Sequence, residues 1–97
     1  MPEQAPVKVI NLDVLKPHKP NIIEFGKAIE KEKSVKAVNI SVYAIDEKTE
    51  SIKVVIEGTN LDFESIKKII DDFGAVVHSI DKAVIGKKEI IEFPEVK

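Results

Sequence analysis

From Val7 to Leu15 apolar and polar positions alternate. Ile10, Leu12 and Val14 fall on one side and Val9, Asn11, Asp13 and Leu15 on the other, the period of two of a strand with one buried face. Lys16-Pro17-His18-Lys19-Pro20 stops that strand, because each proline removes a ladder donor and turns its predecessor away from helical angles. Asn21, followed three residues later by Glu24, fits a helix cap with an acidic partner. Ile22, Phe25, Ala28 and Ile29 then share one face at helical spacing, which predicts a first helix to about Glu32. Val38, Ile40, Val42 and Ala44 alternate with Asn39, Ser41 and Tyr43, and the polar segment 46–51 separates them from Ile52, Val54 and Ile56. This pattern predicts a β-hairpin with a charged loop. A second helix follows: Leu61 and Ile66 flank an Asp62 cap as a hydrophobic staple, and Phe63, Ile66, Ile70 and Phe73 form the stripe that ends at Gly74. Residues 75–80 are β-branched and read as a fourth strand. Residues 83–85, a Gly86-Lys87 turn and residues 89–93 read as a terminal hairpin arm.

The order βαββαβ with right-handed crossovers gives an α+β, ferredoxin-like sandwich: an antiparallel sheet in the order 4-1-3-2 with both helices on one face. The division is a loose tail over 1–6 with two prolines, a folded domain over 7–82, and the arm over 83–97. The opposite sheet face carries Asn11, Asp13, Asn39, Ser41, Tyr43, Lys53, Val55 and Glu57. It is largely polar and has no helix of its own, so a function residing on the sheet belongs there. In the arm, Ile85, Ile90, Ile91 and Phe93 are too apolar to hang in water and should cover a neighbour's surface or the domain's own sheet edge.

Composition removes whole classes of chemistry. A 97-residue chain buries only roughly 60–65% of its unfolded surface, so one two-layer core and help from association are expected. Without cysteine there is no disulfide framework, thiolate metal site, redox pair or cysteine nucleophile. All 15 basic residues are Lys, which removes the bidentate fork that phosphoryl and acylphosphate enzymes ordinarily use. A net charge of −2 gives no general pull on nucleic acid, and the two central strands offer no aromatic platform for stacking bases. No apolar run approaches the ~20 residues of a membrane span, and the first ten residues lack a signal-peptide pattern, so the expected location is the cytoplasm. The 15 Ile, 12 Val, single Gln and Lys/Glu-dominated charges match a hyperthermophile bias.

The segments Leu12-Asp13-Val14-Leu15-Lys16-Pro17-His18, Val38-Asn39-Ile40-Ser41-Val42-Tyr43, Val55-Ile56-Glu57-Gly58, Leu61-Asp62-Phe63-Glu64 and Val77-His78-Ser79-Ile80-Asp81 together resemble the archaeal "domain of unknown function 211" family. The resemblance runs from about Val7 to Ile91, and the pairing of the Lys-Pro-His loop with the His-Ser-Ile-Asp strand is its specific part. It implies a small ferredoxin-like protein that associates into ring-like homo-oligomers and has no assigned activity.

Candidate chemistry gathers around the two imidazoles and the acids of the polar face. In a 4-1-3-2 sheet Asp13 approaches Ser79 or Asp81 on the fourth strand, and Glu57 lies on the third. Asp13, Glu57 and Asp81 are thus candidate oxygen ligands for Ca²⁺ or Mg²⁺. The competing reading pairs these acids with Lys53 or Lys82 across strands. For a small polar ligand the candidates are His18, Asn39, Tyr43 and His78. His18 also fits a turn cap, and His78 an oligomer-facing polar residue. The loop 46–50 lacks the Gly and the spacing of an EF-hand, and Gly58 alone is no phosphate loop. The role these residues suggest is a non-enzymatic homo-oligomeric module that binds a divalent cation or small polar ligand at subunit contacts, without nucleic acid or membrane. The alternatives are a purely structural scaffold and a metal-dependent hydrolase with His78 as base.

Overall fold

The structure, a computed structural model, describes residues 5–88. It contains β1 (Val7–Pro17), α1 (Ile22–Glu30), β2 (Val35–Ile45), β3 (Thr49–Gly58), α2 (Phe63–Asp72) and β4 (Val76–Ile85). The four strands form one antiparallel sheet in the order β2-β3-β1-β4, which is the ferredoxin-like arrangement the element order calls for. Both helices pack on one face. There Ile10, Leu12 and Val14 of β1 and Ile52, Val54 and Ile56 of β3 meet Phe25 and Ile29 of α1 and Ile66 and Ile70 of α2. The period-two and helical stripes therefore converge on one core, and each such side chain contributes about 1.5–3 kcal/mol by leaving water. Among the described residues no helix is long and apolar enough to cross a membrane.

The helix starts follow their caps. Asn21 Oδ1 accepts from Glu24 N at 2.9 Å and Asp62 Oδ1 from Ser65 N at 3.2 Å, satisfying amide groups that have no partner within the helix. Gly74 ends α2 with φ +77°, a conformation that favours glycine. At Gly58 the constraint is space, since a Cβ there would lie 2.1 Å from the Ser34 carbonyl oxygen. Gly58→Ala is therefore expected to cost at least about 2 kcal/mol, read as a lowered denaturant midpoint at unchanged slope.

Several boundaries differ from the pattern reading: β1 continues through Lys16 to Pro17, which pair with Glu50 and Thr49, so β3 begins inside the segment expected as loop, and α1 ends at Glu30. β2 begins at Val35, where Val35 is buried and pairs with Gly58. β4 runs unbroken to Ile85, so residues 83–85 continue the fourth strand along β1. The apparent break at Asp81 is an extra residue, because Leu12 pairs with Ile80 while Asn11 pairs with Lys82. Residues 89–93 of the expected arm lie outside the described residues.

Candidate functional site

Three register shifts build the polar face. On β4, His78 is the extra residue between the Asp13–Ser79 and Val14–Val77 pairs, and Asp81 the extra one between Leu12–Ile80 and Asn11–Lys82. On β2, Tyr43 is the extra residue between Val42–Ile52 and Ala44–Ser51. A bulge bends its strand and increases the local twist, while Tyr43 keeps the face that its alternation with Ser41 gives it, and Asp81 the face of Ser79. All three extra residues carry polar groups, and all three lie around Asp13.

Asp13 has Lys53 as its ladder partner on β3 and Ser79 on β4. Tyr43 reaches across β3 and its hydroxyl lies 2.8 and 2.9 Å from the two Asp13 oxygens, forming one shared donor contact. Lys53 Nζ donates to Asp13 Oδ2 at 3.1 Å and to Asp81 Oδ2 at 3.0 Å, and it sits 5.2 Å from the centre of the Tyr43 ring. Ser79 Oγ donates to Asp81 Oδ1 at 2.7 Å. Four strands thus place five side chains in one connected network. Beside it lies a cleft of about 230 Å³ lined by Asp13, Val14, Leu15, Tyr43, Ser51 and His78.

The network sets its own charges. The Tyr43 hydrogen bond, and then Lys53, hold Asp13 below the ordinary carboxylate range. Ser79, and then Lys53, do the same for Asp81. The two aspartates raise Lys53, Asp81 first, and the Asp13 carboxylate raises the Tyr43 hydroxyl. A carboxyl with a lowered folded pKa contributes stability above its ordinary value of 3.8 and loses it as pH falls through the lowered one. A hydroxyl with a raised pKa contributes below 10.0 and loses it as pH rises through the raised value. The Tyr43–Asp13 bond is therefore intact between about pH 4 and pH 10. Tyr43→Phe is expected to move the Asp13 carboxyl titration upward, towards the ordinary aspartate value, as followed by its ¹³C shift in NMR. An unchanged Asp13 titration would show that Lys53, and not the tyrosine, governs this carboxylate.

Of the residues singled out from sequence, Asp13, Tyr43 and Asp81 meet in this network, and His78 lines the same cleft. The cation between Asp13 and Asp81 is the Lys53 ammonium, the cross-strand pairing weighed against a metal. Glu57 pairs with Val9 and Ala37, four residues along β3 from Lys53 and so about 13 Å away. No group of three or more acids and imidazoles with metal-site geometry occurs among the described residues. Asn39 is two residues from Ser41, the β2 partner of Lys53, and takes no part in the network. His18 faces the β2–β3 loop instead. Its Nε2 lies 2.9 Å from the Asp46 carbonyl oxygen and 3.0 Å from that of Glu47, so this nitrogen carries the proton, and its Nδ1 is 3.5 Å from Glu50 Oε2.

A second polar centre lies at the end of β1, where the alternation alone does not announce it. Lys16 is fully buried, with Nζ 2.9 Å from Glu50 Oε1, donating to the carbonyls of Pro17 at 2.7 Å and of Pro20, with that of His18 at 3.4 Å. This ammonium ties the proline connector to β3, and its hydrogen bond holds Glu50 below the ordinary carboxylate range. The period of two carries only the direction: Lys16 continues the Ile10, Leu12, Val14 face into the core.

A family model described as "Uncharacterized ArCR", domain of unknown function 211, matches residues 8–97. The chain is also similar to an uncharacterised protein of the archaeon Methanocaldococcus jannaschii, with 48% identity over 86 residues that cover 89% of each chain.

Proposed function

Because the chain belongs to the archaeal domain of unknown function 211 family, which carries no assigned activity, its role has to come from its own geometry, and we propose a non-enzymatic, homo-oligomeric binding module. Its open sheet face holds a small polar ligand or a divalent cation at subunit contacts. The observation that carries this reading is the convergence of Asp13, Tyr43, Lys53, Ser79 and Asp81 on one network beside an open cleft. The face offers acceptors at Asp13, Asp81 and the Tyr43 hydroxyl oxygen, a donor at Lys53, the imidazole of His78, and an apolar wall at Leu15. That set suits a small molecule that presents a donor or a positive charge to Asp13 and rests an apolar side on Leu15 and the Tyr43 ring. A bare cation has first to displace Lys53, so the polar ligand is the better fit. In a cytoplasmic, thermophilic setting the same association would stabilise a small core.

Association is supported by the edges. β2 and β4 are the outer strands, and both display large apolar side chains, among them Val42, Tyr43 and Ile45 on β2 and Val76, Ile80 and Ile85 on β4. Such edges invite pairing. Within the sheet β2 and β4 run in opposite directions, so a copy shifted sideways lays its β2 antiparallel to β4 with the helices on the same side. Unlike edges joining head to tail close into a ring when the rotation closes, and every ring joint then brings a Tyr43 edge towards a His78 and Asp81 edge. Val42→Lys together with Ile80→Lys is expected to reduce the particle to a monomer in size-exclusion chromatography with light scattering while leaving the fold intact by circular dichroism. An oligomer that survives both charges would place the contact elsewhere and remove the edge-to-edge reading.

A further inference from the structure

An apolar trough lies on the helix side of the sheet, between α1 and β2. Ile22, Ile23 and Gly26 of α1 and Val38 and Ile40 of β2 line it, with Lys27 and Glu30 at its polar rim. Its volume is about 360 Å³, and Ile23 is 66% exposed. Gly26 keeps it open, since a Cβ there would come within 3.2 Å of Ile40 Cδ1. Nine residues, Glu89-Ile-Ile-Glu-Phe-Pro-Glu-Val-Lys97, follow the described chain. They pair apolar Ile90, Ile91, Phe93 and Val96 with three glutamates.

We infer that residues 89–97 of one copy occupy the α1–β2 trough of the next copy, an inference that rests on the edge-to-edge association proposed above. The described chain delivers this segment to the right place. β4 ends at Ile85 on the edge opposite β2, and the turn that follows is pinned to the start of β1 and the residue before it: Gly86 N donates to the Pro6 carbonyl at 2.9 Å and Lys8 Nζ to the Lys88 carbonyl at 3.0 Å. Gly86 has φ +135°, so the chain turns there at little steric cost. When the next copy's β2 lies against β4, its trough stands one strand spacing from that turn, about 4.8 Å across the sheet. Nine residues reach up to about 30 Å, and the nine-residue α1 is only about 14 Å long. The segment's own trough lies three strand spacings away, past α2 and α1. In the next copy's trough Ile90, Ile91 and Phe93 leave water on Ile22, Ile23, Val38 and Ile40, and a glutamate meets Lys27.

The chain has no cysteine, so Ile23→Cys introduces one thiol in the exposed trough. The test compares its labelling rate by a maleimide in three samples: the otherwise intact chain, a chain that also carries Ile90→Asp, Ile91→Asp and Phe93→Asp, and the latter assembled with an excess of unsubstituted chain. Native mass spectrometry gives the subunit number of each. Labelling at least tenfold slower in the first sample than in the second, with slow labelling restored in the third, supports docking in trans. Equal rates in an intact oligomer overturn the docking and leave the edge-to-edge reading standing. Protection in the first sample without rescue in the third places the segment in its own trough, and also overturns it. An intact chain that is monomeric removes both readings.

Discussion

Lys16→Met is expected to lower the unfolding free energy by about 3–5 kcal/mol, the cost of removing one partner from a buried ion pair. The thioether keeps most of the stem that packs near Phe25 but removes the ammonium, leaving Glu50 without its closest cation and the Pro17, His18 and Pro20 carbonyls without a shared donor. In a chain of this size that corresponds to a fall in melting temperature of roughly 15–30 °C. The double variant Lys16→Met with Glu50→Leu should recover a substantial part of the loss, because the stranded carboxylate disappears with its partner. The pH dependence follows in sign. Glu50 has its folded pKa lowered, so the contribution of the pair is present above the ordinary 4.5 and lost as pH falls through the lowered value. Wild-type stability should therefore drop below about pH 4.5 more steeply than that of Lys16→Met. Urea titrations of the three proteins at neutral and acid pH measure all of this. A single variant costing under about 1 kcal/mol would show that the connector does not depend on the ammonium.

The second large effect concerns Lys53. Its ammonium bridges Asp13 and Asp81, and Lys53→Met leaves two carboxylates facing one another with Ser79 and Tyr43 beside them. Oxygen donors of that kind suit Ca²⁺. The variant is expected to bind Ca²⁺ at least about tenfold more tightly than the wild type, since the cation no longer displaces a charged side chain. Saturation at a hundred times its dissociation constant would then stabilise the variant by about 2.7 kcal/mol. Isothermal titration calorimetry and thermal unfolding with Ca²⁺ report both quantities. Equal and tight Ca²⁺ binding by both proteins would instead mean that Lys53 already yields to the metal, and the site would be read as a cation site. No binding by either would leave the polar ligand alone in the cleft.

The sequence made the architecture readable because the strongest patterns were the simplest. The β1 alternation, the two capped helices and the β2–β3 hairpin specify the element order, and right-handed crossovers then leave one sheet order. The order places Asp13 between β3 and β4, but the register decides that its β3 neighbour is Lys53 and not Glu57. The bulges at Tyr43, His78 and Asp81 were not readable, because one extra residue in a strand changes neither composition nor apolar content. The Asp81 bulge is also why residues 83–85 read as a separate arm: it shifts the parity of the pattern while the strand continues. Lys16 is a different case. Its parity marked it as core-facing, and its charge argued for the surface, but the proline connector supplies carbonyls and β3 supplies Glu50 just where the ammonium ends. Buried charges of this kind become visible only when the distant partner is in place.

Native mass spectrometry of the untagged protein, as isolated and again after exhaustive chelation and dialysis, decides whether this chain works as an oligomer carrying a ligand on its polar sheet face. The expected result is an oligomer with extra mass in a fixed ratio to subunits, and loss of that mass from an Asp13→Asn variant that keeps its subunit number. A bare oligomer, unchanged by chelation and by Asp13→Asn, would contradict the binding role and leave a scaffold. A bare monomer would contradict both parts.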